Sequence, residues 1–195
     1  IFTSPQYVQF PNSEKIVSVE VSQGGTLYNS YTCAITIAGD LYCWGWGTVG
    51  ALGVGGNSNK GSPTLVNLGH NIKASQVSAG PEHACAIVSS GEVGCWGHKA
   101  HGRISDASFY VNNGHNNPYQ NTIKISTTVT TTSEPIMVAA GRTNTCVFFA
   151  DDVINCWGWA GEGRIGTPLN GFPAQDVPRA TGSVNSKPLS ISMEE

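Results

Sequence analysis

The residues with the most chemistry to offer are six cysteines, Cys33, Cys43, Cys85, Cys95, Cys146 and Cys156, which form three pairs of identical C-x9-C spacing. Thiols can ligate metals, act as nucleophiles or pair. The chain has no CxxC and no Cys/His set at zinc-finger spacing, so a structural metal site is not expected. An even count in fixed pairs reads as three local disulfides and therefore as an oxidising compartment. The alternative is buried free thiols that recur because the fold recurs. His98 and His101 stand three apart with His115 nearby, which suits a metal only if the rings converge. They lie in a Gly/Asn-rich stretch without an acidic cluster and read as loop histidines. Two G-x-G-x-x-G matches, Gly45 to Gly50 and Gly161 to Gly166, open no helical pattern and read as turn glycines rather than a dinucleotide site. G-x-S-x-G, H-E-x-x-H and phosphate-loop motifs are lacking, every cysteine is assigned, and the carboxylates are scattered. The sequence thus points to no catalytic, cofactor-binding or metal-binding residues, and to a protein that is not an enzyme.

The elements that would carry these cysteines follow from composition and periodicity. Charged residues make up 12% of the 195, well below the usual share of about 25%, while glycine reaches 24 residues and apolar residues 39%. That make-up favours an all-β protein rich in turns. A net charge of −3 gives no electrostatic footprint for a phosphate backbone, so nucleic acid is not an expected partner. No stretch approaches 18 consecutive apolar residues, so membrane insertion is not expected. The chain opens at Ile1 rather than Met, as expected of a processed chain or a piece of a longer one.

Three stretches align: YTCAITIAGDLYCWGWGTVGALG from Tyr31, HACAIVSSGEVGCWGHKAHGRIS from His83 and NTCVFFADDVINCWGWAGEGRIG from Asn144. Each carries Cys-Trp-Gly, with a glycine six residues after the Trp and a β-branched run upstream. First cysteines 52 and 61 residues apart give a period typical of propellers, solenoids or arrays. Within each C-x9-C, apolar and small residues alternate around Ile37-Ala38-Gly39, Ser89-Ser90-Gly91 or Ala150-Asp151-Asp152. A three-residue hairpin loop needs a left-handed residue in third place, where Gly or Asp stands. That loop sets the two cysteines opposite each other and predicts Cys33–Cys43, Cys85–Cys95 and Cys146–Cys156. Side chains alternate along a strand, so Trp44, Trp96 and Trp157 face away from the sulfurs and are expected to fill equivalent sites between sheets.

The pattern C-A-x-x-x-x-G-x-[LV]-x-C-W-G-x-x-x-x-G-x-[LI]-G behind a V-S-A-G strand resembles the repeats of the RCC1-like β-propellers. VSAGPEHACAIVSSGEVGCWG is the closest stretch, and the resemblance covers about residues 16–168. The disulfide-bearing form resembles the secreted bacterial branch that includes β-lactamase inhibitor protein II. Two departures stand out: three repeats where family propellers usually have seven blades, and degenerate positions such as Arg103-Ile104-Ser105 and Asp152. The resemblance implies a single domain of repeats at about 14–70, 71–134 and 135–186. Residues 187–195 match the opening strand of a fourth repeat, so the propeller is partial, open or completed by a neighbouring chain.

Function is then expected from surfaces. Two residues beyond each repeated Trp stand Trp46, His98 and Trp159, either a second packing layer or contacts for a partner. Phe109, Tyr110 and Tyr119 sit in the longer second repeat and are further contact candidates. Pro188, Leu189, Ile191 and Met193 are candidates for strand exchange with another copy. The reading is a secreted or cell-surface, non-enzymatic module that binds protein, including further copies of itself by head-to-tail strand donation into a ring or filament. The alternative is an inhibitor or lectin-like domain that caps an enzyme or glycan with its loop face.

Overall fold

The computed structural model describes residues 4–24, 29–104, 124–125, 133–165 and 175–177. Among the described residues twelve strands form three sheets, each a four-stranded antiparallel meander in chain order. The first holds β1 (Ile16–Val21), β2 (Tyr31–Thr36), β3 (Leu41–Gly45) and β4 (Lys60–Leu65). The second holds β5 (Ala74–Ala79), β6 (His83–Val88), β7 (Val93–Gly97) and β8 (Lys124–Ile125). The third holds β9 (Pro135–Ala140), β10 (Asn144–Phe149), β11 (Ile154–Gly158) and β12 (Gln175–Val177). Phe109, Tyr110, Tyr119, Pro188, Leu189, Ile191 and Met193 lie outside the described residues, as does the expected opening strand of a fourth repeat.

The central hairpins form as their turn residues dictate. Gly39, Gly91 and Asp152 hold φ of 81°, 80° and 66°, the left-handed conformation that the third loop position requires. Cys33 lies opposite Cys43, Cys85 opposite Cys95 and Cys146 opposite Cys156, and each pair is disulfide-bonded with Cα atoms 4.1 Å apart. Ordinary opposed residues at such non-hydrogen-bonded positions sit about 4.5 Å apart, so the bond draws the two strands together.

The glycine of each Cys-Trp-Gly has a steric cause. Gly97 has φ 108°, and a Cβ there would stand 2.5 Å from the Glu82 carbonyl oxygen and 2.7 Å from His83 Cα. Gly45 and Gly158 sit at matching angles against Tyr31 and Asn144. Only glycine lets the strand leave the sheet at this point.

Sheets pack face to face in a fixed sense. The disulfide face of the first sheet, with Ile35, Leu41 and Leu52, meets Val77, Ala84, Ala86, Val88 and Trp96 of the second. The disulfide face of the second, with Ile87, Val93 and Ile104, meets Val138, Val147, Phe149 and Trp157 of the third. Burying an indole of about 200 Å² at about 25 cal/mol per Å² contributes on the order of 5 kcal/mol before entropy is subtracted. The indole nitrogens are also satisfied: Trp96 Nε1 donates to the Ala51 carbonyl at 3.0 Å and Trp157 Nε1 to the Arg103 carbonyl at 2.9 Å.

The three tryptophans are not equivalent, contrary to the expectation from sequence. Trp96 and Trp157 are 3% and 1% exposed, whereas Trp44 is only half-buried. No sheet precedes the first among the described residues, and Phe10 meets Trp44 edge to face at 5.6 Å.

Candidate functional site

Two groups of side chains stand out where the second and third sheets meet. The first is internal. His83 opens β6 and is fully buried, and its Nε2 lies 2.9 Å from Thr145 Oγ1 on β10. Thr145 donates its hydroxyl proton to the Arg103 carbonyl at 2.8 Å, so it can only accept from the imidazole. The network therefore assigns the Nε2–H tautomer and leaves His83 Nδ1 buried without a hydrogen-bond partner. Burial holds His83 well below the usual imidazole range, and the positive charge of Arg103 pushes the same way. Arg103 is itself 3% exposed and gives Nη1–H to Glu82 Oε2 at 3.0 Å and Nε–H to the Ala100 carbonyl at 2.9 Å. Desolvation lowers its pKa while Glu82 opposes that. The Arg103-Ile104 pair that looks degenerate in sequence is thus central: one carbonyl takes two hydrogen bonds from the third sheet, and Ile104 is 1% exposed in the core.

The second group faces outward. Trp159 leaves β11 and is 38% exposed. The His101 ring stacks on it at 5.8 Å with 27° between planes, and the Arg164 guanidinium lies 4.9 Å from its ring centroid. Burial and the nearby Arg103 charge lower the His101 pKa, so Trp159 offers a broad apolar face flanked by a stacked imidazole and one guanidinium, suited to a protein or polar-ring partner.

The three aligned contact candidates therefore separate. Trp46 packs against the core between the first and second sheets. His98 is 19% exposed with Nδ1 3.5 Å from Glu82 Oε2, beside the Arg103 ion pair. Trp159 alone of the three presents a large exposed aromatic surface. The structure brings His98 near Arg103 and Trp159 near His101, but it does not gather the three candidates into one patch.

Sequence reasoning passed over Glu82, Arg103 and Thr145. A signal existed for His83. The residue two before each first cysteine is Tyr31, His83 or Asn144, polar each time inside an apolar strand. Tyr31 and His83 both bond across to the next sheet, Tyr31 Oη donating to the His83 carbonyl at 2.8 Å. Among the described residues no group of three or more His, Cys, Asp or Glu side chains is placed to hold a metal ion.

Comparison with known proteins fits this architecture. The family model for the regulator of chromosome condensation (RCC1) repeat matches residues 38–87, and a second model of the same description matches 74–103. The ultraviolet-B receptor UVR8 of Arabidopsis thaliana is 28% identical over 189 residues, 96% of this chain and 39% of that protein. The human E3 ubiquitin-protein ligase HERC2 is 34% identical over 136 residues, 68% of this chain and 3% of that protein. Among solved structures, human WBSCR16 superposes with a TM-score of 0.67 at 20% identity, over 87% of this chain and 39% of that one. Yeast RCC1 (Prp20), solved bound to Kap60, superposes with a TM-score of 0.63 at 15% identity, over 81% and 35%. The chain thus spans about two fifths or less of the length of these relatives. The two repeat-model matches, on residues that form four-stranded antiparallel sheets with the fold of the superposed structures, place the chain among the RCC1-like repeat proteins.

Proposed function

We propose that this chain is a non-enzymatic, extracellular protein-interaction module built of RCC1-like blades, with repeats at about 14–70, 71–134 and 135–186, and that its partners include further copies of itself. The observation that carries the reading is the architecture itself. The disulfide face of the first sheet packs on the second and that of the second on the third, so the described blades are disulfide-pinned sheets built to meet other blades. Three buried disulfides favour an oxidising compartment, consistent with secretion or display at a cell surface. The head-to-tail form of assembly assigns residues 187–195, with Pro188, Leu189, Ile191 and Met193, to pair with another copy. Light scattering on the full chain and on a chain lacking residues 187–195 tests it. The full chain should form a defined assembly, and the truncated chain a folded monomer. A full chain that is monomeric at every concentration removes self-assembly.

A second reading, an inhibitor or lectin-like domain that binds through its loops, is favoured by Trp159 with His101 and Arg164 around it. It expects Trp159→Ala to abolish binding of a glycan or enzyme probe without changing the assembly state. Retained binding by that variant sinks it.

A further inference from the structure

One side chain occupies the same place in both internal seams, and its chemistry differs between them. The residue two before the first cysteine reaches across to the next sheet: Tyr31 Oη donates to the His83 carbonyl at 2.8 Å, and His83 Nε2 lies 2.9 Å from Thr145 Oγ1. A phenol stays neutral in acid, and burial pushes the Tyr31 hydroxyl still further from ionising. An imidazole in water changes charge near pH 6.5. The seam between the second and third sheets therefore holds a group that acid can charge, where the other seam holds one that it cannot.

Among the described residues nothing in that seam receives a second imidazole proton. Nε2–H points at Thr145, whose own hydroxyl proton goes to the Arg103 carbonyl, and Nδ1 is buried without a hydrogen-bond partner. A proton on Nδ1 would be a charged, unpaired donor inside a buried contact, which is costly. The surrounding charges add to that cost or are engaged with one another. From the loop after β7, the Arg103 guanidinium repels an imidazolium, and His98 pushes the same way. Glu82, in the turn before β6, accepts from Arg103 Nη1 at 3.0 Å and lies 3.5 Å from His98 Nδ1. Arg142, in the turn before β10, and His101 interact with the Arg103 charge. β2 contributes Tyr31, while β5, β7, β9 and β10 carry no ionisable side chain outside the disulfides.

We propose that the seam between the second and third sheets is an acid-sensitive joint: a proton on His83 parts the third sheet from the second while the seam between the first and second stays closed. Opening lets the imidazolium reach water and separates Ile87 and Val93 from Val147, Phe149 and Trp157. The hairpins survive the opening, because each disulfide closes within its own sheet. The open form binds the proton and the closed form resists it, so closure is favoured at neutral pH and lost as pH falls below 6.5. With that value for the open form, the open fraction rises about thirtyfold between about pH 7.5 and pH 5. The joint does not depend on which partner the module takes.

The seams supply their own reporters. The Val138 and Ala140 amides donate to Gln76 Oε1 at 2.8 Å and Ser78 Oγ at 3.0 Å, and the Trp157 indole donates to the Arg103 carbonyl at 2.9 Å. All three protons are held across the second–third seam. The Trp96 indole, held by the Ala51 carbonyl, reports on the first–second seam. Hydrogen exchange of the intact chain, followed by NMR at about pH 7.5 and pH 5 and corrected for intrinsic rates, tests the joint. Protection of Val138, Ala140 and Trp157 should fall about thirtyfold on acidification, and that of Trp96 should hold. His83→Gln keeps a donor for Thr145 and does not titrate, so it should abolish the fall. Equal loss at Trp96 and Trp157, or loss at neither, overturns the proposal. A fall that survives in His83→Gln places the titration on Glu82 or His98 and overturns it as well. If circular dichroism shows that variant to be unfolded, the wild-type contrast between Trp157 and Trp96 decides alone.

Discussion

Replacing Thr145 with Val removes one hydroxyl from the seam between the second and third sheets while keeping nearly the same shape. That hydroxyl accepts from His83 Nε2 at 2.9 Å and donates to the Arg103 carbonyl at 2.8 Å, and both side chains are fully buried. The imidazole N–H would be left without a partner, a cost of about 1–3 kcal/mol, and one further hydrogen bond of about 0.5–1.5 kcal/mol would be lost. The Arg103 carbonyl keeps Trp157 Nε1 at 2.9 Å, so it adds no orphaned-acceptor cost. The added methyl offsets roughly 0.5–1 kcal/mol, leaving a net loss of about 1–3.5 kcal/mol. For a chain of this length that is a fall in Tm of roughly 2–14 °C. Urea and calorimetric unfolding measure it. Thr32→Val is the internal control, because Thr32 holds the same position in the first sheet, opposite Trp44 on its open side. It should change stability by less than about 0.5 kcal/mol. If Thr145→Val costs no more than Thr32→Val, the hydroxyl does not hold the seam and the reasoning fails.

Three further outcomes follow from the same seams and hairpins. His83 has a depressed pKa in the folded chain, so below its unfolded value of about 6.5 the unfolded state binds the extra proton. Stability is therefore fully present above that pH and falls as pH drops through it, by at most about 1.4 kcal/mol per pH unit. His83→Asn, which borrows the residue of the third repeat, should flatten that part of the stability–pH curve; an identical slope would exclude His83 as its source. Replacing Cys85 and Cys95 together by Ala should cost about 2–3 kcal/mol, since the loop they close is short, and should remove part of the wild-type response to reductant in urea titrations. Asp152→Gly should stabilise by up to about 1 kcal/mol, because Asp152 holds φ 66° where glycine is unstrained; a lower urea midpoint would contradict this.

The hairpins were legible because their determinants are local. Eleven residues contain both cysteines, the turn and the left-handed position, so the register of Cys33 with Cys43 follows without any distant contact. The upstream strands were legible by their β-branched runs, as with Ile16–Val21 and Pro135–Ala140. The candidate site was less so. Trp46, His98 and Trp159 share one repeat position, yet one packs inward, one lies beside the Glu82 carboxylate and one faces solvent. What separates them is the neighbouring loop, which their own segments do not encode.

By itself the sequence determined the repeat, the three disulfide-pinned hairpins and the alternation that sets sulfur and indole on opposite faces of a strand. Each is a rule over a few neighbouring residues, fixed by backbone sterics and by the two-residue period of a strand. Only the tertiary structure decided which of three identical Cys-Trp-Gly tryptophans is buried, that Arg103 anchors a seam, and that the β1 valines face solvent. Those outcomes depend on which sheet lies against which, through contacts such as Tyr31 to His83 and His83 to Thr145 that span 52 and 62 residues. An identical side chain gains burial and a hydrogen-bond acceptor only where another sheet supplies them, and Trp44 has no such sheet among the described residues.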